Sequence, residues 1–535
     1  MKSSTSPVPQ LYPQGSPSLS RRTFLGGSAS LIFALTASKV LGNQGFVRNH
    51  PTFPAYPFSL GVASGDPTAD GFVLWTRLAP IPLMGGGMPN ESVLVHWRVA
   101  EDEAMTKVVA SGSEVASPDW AHSVHVEVEG LKPDRWYWYE FKAGSEISPR
   151  ARTRTMCPLD TPAEKTTPIK MTFASCQHYE TGHYTAYEHM LAENPDIVFH
   201  LGDYIYENKG REDLVRKHIG NEIMVVDDYR NRHAQYKTDP ALQAMHHAAP
   251  WVVTWDDHEV DNNYAGDISE KLKVKPESFL KRRAAAYQAY YEHMPIRRSA
   301  MPTGPDMQIY RTISHGQLVN FQVLDTRQFR TDQPNGDGLK TPGEAAMRPD
   351  ATILGTVQKK WLDQQLGNSN ARWNVLAQQV MMARVDRAPG EEVKCAMDQW
   401  PGYEMDRRRV LQSFRDLKVS NPVVITGDIH SHWANDLVVD FEGNKAETVA
   451  VEFVGTSISS AGDGIAIPED HETVMKENSC VKFYNKQRGY VSCQIDPKRW
   501  HADYQNVDYV SRPGAPLKTT ASFVVEDKTS GLQIA

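Results

Sequence analysis

Short apolar runs of strand type recur along this chain, and what separates them changes once. From Phe58 to about Thr155 the runs follow one another with only turns between. Phe72-Val73-Leu74-Trp75-Thr76-Arg77 comes after a Gly-Asp-Pro turn, Val93 to Val99 is next, and Ser123-Val124-His125-Val126-Glu127-Val128 alternates strictly. Leu131-Lys132-Pro133 then leads into Trp136-Tyr137-Trp138-Tyr139-Glu140-Phe141. A Leu-x-Pro turn before a tyrosine-bearing strand is the pattern of the tyrosine corner in immunoglobulin-like and fibronectin-like sandwiches. Alternation alone accounts for these aromatics, so they are read as core. Residues 56–155 are expected to form an all-β sandwich domain.

After a Pro/Thr-containing linker at 156–167, short apolar strands alternate with longer helical or irregular segments, the signature of an α/β domain. The expected strands include Ile169–Ala174, Pro195–His200, Trp251–Trp255, Leu318–Leu324, Trp373–Ala377, Pro422–Thr426 and Val449–Val454. The domain is placed at 166–510, with a C-terminal tail at 511–535. At 535 residues the chain is too long for one compact core.

Four of these strands end in side chains that bind metals: Cys176 with His178, Asp203 with Tyr206, Asp257 with His258, and Asp428 with His430 and His432. One such ending is an ordinary turn. Four make a site, because parallel strands of one sheet bring their carboxyl ends together. Thiolate, phenolate, carboxylate and imidazole together suit neither a structural zinc site nor magnesium alone. A phenolate ligand must lose its proton near neutral pH, which points to the charge density of trivalent iron. The carboxylates Asp203, Asp257 and Asp428 suit a hard divalent ion beside it, such as calcium, magnesium or manganese. Two cations about 3.5–4 Å apart clamp a phosphate ester and acidify water.

Composition narrows the setting. With 40% hydrophobic and 23% charged residues the chain is a globular protein, and a net charge of -8 argues against sequence-specific nucleic-acid binding. No stable membrane span is expected. Ser20-Arg21-Arg22-Thr23-Phe24-Leu25 before a short apolar run, Gly26 to Ala37, reads as a twin-arginine export signal within residues 1–45. The expected location is therefore periplasmic or extracellular, with the twin-arginine translocase as the partner in export. Of five cysteines, four could pair, and Cys176 is the one left free for a metal.

These motifs in combination resemble the alkaline phosphatase D (PhoD-like) family of metallophosphoesterases. The resemblance rests on Gly61-Val62-Ala63-Ser64-Gly65-Asp66-Pro67, Ser175-Cys176, Gly202-Asp203-Tyr204-Ile205-Tyr206-Glu207, Trp255-Asp256-Asp257-His258-Glu259, Leu324-Asp325-Thr326-Arg327, Gly427-Asp428-Ile429-His430 and Ala521 to Asp527. It covers nearly the whole chain. It implies an α/β (α+β layered) catalytic domain with stacked sheets flanked by helices. It further implies a ferric ion held by Cys176, Asp203, Tyr206 and His430, and calcium faced by Asp257 and Asp428. The implied reaction is in-line attack of metal-bound hydroxide on a phosphate ester, with His258 touching the phosphate or protonating the leaving oxygen. Cys176-Gln177-His178 stands where the wider superfamily has Asp-x-His, so a metal role for His178 stays open.

Other residues carry two readings each. His178, His183 and His432 serve as ligands or as donors that orient carboxylates. Asp256 and Glu259 are read as salt-bridged scaffold, and Tyr204 as packing. Asn263 is a turn former or a phosphate or metal contact. Arg327 and Arg230 are candidate phosphate clamps or exposed scaffold. His246-His247 receives no role. Phosphodiesterase or phospholipase D chemistry from the same site is the alternative activity. An inert protein that binds surfaces through its β domain is the alternative of another class, and the complete ligand set weighs against it.

Overall fold

The computed structural model describes residues 47–271, 273–439 and 447–535, so the expected export signal lies outside the described residues. Strands of four residues or more are numbered along the chain. Residues 62–154 supply β1 (Val62–Gly65), β2 (Phe72–Arg77), β3 (Ser92–Ala100), β4 (Val108–Ala116), β5 (Ser123–Val128), β6 (Trp136–Ala143) and β7 (Ala151–Arg154). β4, β3, β6 and β7 pair antiparallel in that order. Their inner residues Val95, Val99, Tyr139 and Phe141 share a buried cluster with Phe72, Leu74, Val124 and Val126 of β2 and β5. Tyr137 behaves as the turn pattern predicts: its hydroxyl accepts from the Lys132 N–H at 2.9 Å and donates to the Lys132 carbonyl at 3.1 Å.

This segment is not edge-isolated. β1, β2 and β5 pair antiparallel, and β1 continues into the larger sheet through a parallel pairing of Gly65 with Trp251. A Cβ at Gly65 would lie 2.6 Å from the Trp251 carbonyl oxygen, so the close approach requires glycine. Asp66, next in sequence, receives Arg311 on Oδ1 at 2.6 and 2.8 Å.

The rest of the chain adds β8 (Ile169–Ala174), β9 (Ile197–Leu201), β10 (Trp251–Thr254), β11 (Arg311–His315), β12 (Val319–Val323), β13 (Trp373–Ala377) and β14 (Pro422–Thr426). β15 (His432–Val438), β16 (Thr448–Val454), β17 (Val481–Ile495), β18 (Arg499–Val507) and β19 (Leu517–Glu526) complete the set. They form two leaves. In the first, β8, β9 and β10 run parallel, and β8 is flanked by the antiparallel β17, β18 and β19. In the second, β12, β13, β14 and β16 run parallel, with β11 antiparallel at one edge and β15 at the other. β17 is long enough to serve both, pairing with β15 near Val481–Asn485 and with β8 near Val491–Ile495. The residues expected as a C-terminal tail thus include a strand of the first leaf, β19.

Side-chain alternation explains why the parallel strands are apolar on both faces. Ile197, Phe199 and Leu201 of β9 enter a core shared with Phe321, Val375, Ile425 and Phe453 of the second leaf, and the Phe199 and Phe321 rings stand 4.6 Å apart. Val198 points the other way, into a core with α1 (Thr185–Ala192), α2 (Val226–Lys237), α3 (Pro240–Ala248) and α4 (Pro276–His293). The far side of the second leaf buries Leu376 and Val424 against α5 (Gly355–Gly367) and α6 (Glu404–Asp416). All five cysteines are buried free thiols, so none of the four available for pairing is bridged. Among the described residues no helix is long and apolar enough to cross a membrane.

Candidate metal centre

The chain turns abruptly where the strands end. Cys176, Asp203, Asp428 and His430 all take left-handed backbone conformations, with φ of 56°, 57°, 63° and 53°, and Asn263 follows at 47°. Non-glycine residues adopt this region at a cost, and such strain gathers at functional sites. Gly202, at φ 110°, allows the turn into Asp203, since a Cβ there would meet the Asp256 Cβ at 2.4 Å. Glu259 fixes two of these turns together: its carboxylate accepts backbone N–H groups of Asp203 at 3.0 Å, Tyr204 at 2.6 Å and Asp256 at 2.9 Å.

The turns bring the expected ligands together. Ligand atoms of Cys176, Asp203 and His430 lie within 4.8 Å of one another, as do those of Asp203, Asp257 and His258, and those of Asp256, Asp257 and Asp428. Asp203 belongs to two of these groups and Asp257 to two, so the three form one continuous cluster. Tyr206 closes it, donating its hydroxyl to Asp203 Oδ2 at 2.8 Å and standing 3.2 Å from His430 Nε2. One expectation needs correction. The four strand ends do not belong to one leaf: Cys176, Asp203 and Asp257 follow β8, β9 and β10, whereas Asp428 and His430 follow β14 of the second. The ligands therefore meet across the gap between two leaves whose parallel strands end on the same side.

Electrostatics test whether cations fit. Burial, and then the neighbouring carboxylates, push the Asp203 carboxyl well above its ordinary range, and burial with Asp256 does the same to Asp428. Burial, then Asp203, raises the thiol of Cys176 and the phenol of Tyr206. Burial holds His430 neutral, down at about 3, the form in which imidazole is a ligand. Burial would raise Asp257 too, but Arg327, His258 and the Asn263 N–H together pull it below the ordinary carboxylate range. The protein alone cannot ionise all of these groups, and positive charge among them reverses that. Asp203 Oδ1 and Asp257 Oδ1 are buried without a hydrogen-bond partner, which is how an oxygen reserved for a cation looks. The donor set fits two metal ions.

Comparison with known proteins gives the family. The model of the PhoD-like phosphatase family matches residues 171–504, and that of the PhoD-like phosphatase N-terminal domain matches residues 45–157. The chain belongs to the PhoD-like phosphatase family. It is 50% identical over 521 residues to alkaline phosphatase D of Bacillus subtilis (strain 168), covering 96% of this chain and 88% of the relative. A solved structure described as that of PhoD superposes with a TM-score of 0.87 at 51% identity, over 90% of this chain and 93% of the other. The protein is accordingly an enzyme, a phosphoric ester hydrolase.

Within this PhoD-like phosphatase the remaining expected residues find different places. His258 sits beside the cluster with Nδ1 2.7 Å from Glu207 Oε2 and its ring 4.1 Å from that of Tyr206. Burial opposes its protonation, but Glu207, then Asp257 and Asp203, raise it well above the ordinary imidazole range. Asn263 donates its backbone N–H to Asp257 Oδ2 at 2.7 Å and its amide to Asp337 Oδ2 at 2.6 Å. Arg327, expected as a phosphate clamp, is fully buried behind the carboxylates. It holds Asp256 Oδ1 at 2.5 Å and Asp398 Oδ2 at 2.8 Å, and it approaches Asp257 and Asp428 at 3.7 and 3.6 Å. Arg230 is likewise engaged, with Glu292 at 2.6 Å.

His178 turns from the cluster toward Glu180 and His218, its ring edge-on to Tyr206 at 4.3 Å. His432 faces the core, where Nδ1 accepts the Thr456 N–H at 3.1 Å. Tyr204 is packing with a polar end: its hydroxyl meets His246 Nε2 at 2.8 Å and Lys237 Nζ at 3.2 Å. Two residues at the site carried no expectation from the sequence, Glu207 beside His258 and Asp398 beside Arg327. Only Glu207 had a local signal, standing one residue past Tyr206 in the strand-end motif.

Proposed function

We propose that this protein is an exported, metal-dependent alkaline phosphatase with a ferric ion at Cys176, Asp203, Tyr206 and His430 and calcium at Asp203, Asp257 and Asp428. The observation that carries the reading is Asp203. It lies in one ligand group with Cys176 and His430 and in another with Asp257 and His258, with one oxygen accepting the Tyr206 hydroxyl and the other without a partner. The thiol and phenol suit trivalent iron, and the all-carboxylate side suits calcium. Cations in such a site neutralise phosphate oxygens and acidify water. The chain's own groups supply the rest of an in-line displacement by water at phosphorus. Arg327 acts as a charged strut, bonded to Asp256 and Asp398, whose charge keeps Asp257 ionised and offsets part of the burial of Asp428. His258, with Nδ1 taken by Glu207, carries the transferable proton on Nε2 and delivers it to the departing alkoxide. Asn263 fixes Asp257 through its backbone N–H, with its side-chain amide held by Asp337.

The two leaves with helices on their outer faces are read as the layered metallophosphoesterase domain, preceded by an immunoglobulin-like sandwich. The paired arginines are read as the export signal. The experiment is to strip metals with a chelator, restore them singly and together, and follow p-nitrophenyl phosphate, its bis ester and phosphatidylcholine. Activity restored only by iron with calcium, and absent from Cys176→Ser and Asp203→Asn, supports the reading; full activity in either variant sinks it. The relative kcat/KM on the three esters assigns mono- or diester preference.

A further inference from the structure

Ser457, Ser459 and Ser460, on the turn after β16, are all buried. Ser460 Oγ lies 2.8 Å from Tyr206 Oη and 2.7 Å from the Cys176 carbonyl oxygen, and it accepts the His178 N–H at 3.1 Å. One hydroxyl therefore touches the backbone of one proposed iron ligand and the side chain of another. A serine hydroxyl has a single proton to give. While Tyr206 is a phenol, its own proton goes to Asp203 Oδ2, and Ser460 can give its proton to Cys176. As a metal ligand Tyr206 would have no proton to give, so its oxygen would only accept. A buried acceptor calls for a donor. Ser460 is the hydroxyl placed to turn to it, with the His178 N–H holding Oγ from behind.

A second observation concerns Arg488. It is 2% exposed, gives Nη1 to Ser457 Oγ at 2.5 Å and to the Ser460 carbonyl at 2.6 Å, and forms no ion pair among the described residues. A buried guanidinium without a carboxylate partner is costly. Its two bonds to Ser457 Oγ and the Ser460 carbonyl clamp the turn that carries Ser460.

We propose that Ser460, held in place by Arg488, is the hydrogen-bond partner that positions the Tyr206 oxygen for metal ligation and sets its donor strength. Ser460 is a positioning residue, and the inference rests on Tyr206 being a ligand. The test uses full-length, iron-loaded protein and reads the phenolate-to-iron(III) absorption band together with iron retention against a competing chelator. Ser460→Ala moves the band to longer wavelength and weakens iron retention 10–100-fold, the usual effect of losing an outer hydrogen bond at a metal site. Ser459→Ala leaves the band unmoved, because that hydroxyl donates to the His178 carbonyl. Ser460→Thr, which keeps the hydroxyl, restores the wild-type band. Ser460→Gly carries the same readout if the alanine variant does not fold. A Ser460→Ala band and iron retention identical to wild type overturn the role of Ser460 alone. Wild-type protein that binds iron without such a band overturns Tyr206 ligation, and this inference with it.

Discussion

Replacing Glu207 by Gln tests the proton donor without touching a proposed metal ligand. Glu207 is 2% exposed and stands 2.7 Å from His258 Nδ1, and it is the largest favourable influence on the imidazolium. Cations at the centre would take up the charges of Asp203 and Asp257, leaving Glu207 as the carboxylate that keeps His258 protonated. Glutamine preserves the shape and can still accept a hydrogen bond, but it removes the charge. A hydrogen bond to a charged group contributes about 1.5–3 kcal/mol, which is roughly 1–2 pKa units. The sign follows: without Glu207 the imidazolium is lost at lower pH, so the alkaline limb of the kcat profile moves down by about 1–2 units. The assay compares an alkyl phosphate, whose leaving group needs a proton, with p-nitrophenyl phosphate, whose leaving group does not. The shift and a drop in kcat are expected for the alkyl ester and little change for the aryl ester. An unmoved alkaline limb, or equal losses on both substrates, would refute the assignment of His258 as acid.

Lys237 gives a second prediction, on stability. It is fully buried against Tyr204 and the ring of Trp75, and burial lowers its pKa from 10.5 to about 7. Between those values the unfolded chain holds a proton that the folded one does not, so stability rises with pH across that window. At about 1.4 kcal/mol per unit the gain approaches ~5 kcal/mol by its upper end. Lys237→Met is expected to raise the denaturation midpoint at pH 7 and to flatten this slope; an unchanged slope between pH 7 and 9.5 contradicts it. Arg327→Lys separates a strut from a clamp. As a strut it costs stability and calcium retention, because the guanidinium that bridges Asp256 and Asp398 is lost, while inhibition of the metal-loaded enzyme by inorganic phosphate stays as it was. Weakened phosphate inhibition at full metal loading would restore the clamp.

The strand ends were legible because their signals are local. A glycine before Asp203 or Asp428, an apolar run before it and a metal-binding side chain after it all lie within a few residues. What joins them was not. The apolar runs of β9 and β14 read alike although they belong to different leaves, since a parallel strand buried on both faces has no outward side to distinguish it. β19 escaped because its first half, Leu517 to Ser522, is polar and largely exposed and shows no apolar period. Arg327 was misplaced for a related reason. A guanidinium after a strand fits phosphate or carboxylate equally well, and only its burial among Asp256, Asp398, Asp257 and Asp428 decides. Asp398 and Ser460 lie far along the chain from the motifs they support, so spacing could not link them to the site.

In the proposed centre Cys176, Asp203, Tyr206 and His430 hold iron while Asp257 and Asp428 face a different, lighter cation. Crystals of the protein, measured on both sides of the iron absorption edge, distinguish the two. One strong iron peak is expected among the Cys176 thiolate, Asp203, Tyr206 and His430, and a second cation with no iron signal beside Asp203, Asp257 and Asp428. An iron peak elsewhere, or a single zinc ion bound without Tyr206, would contradict it.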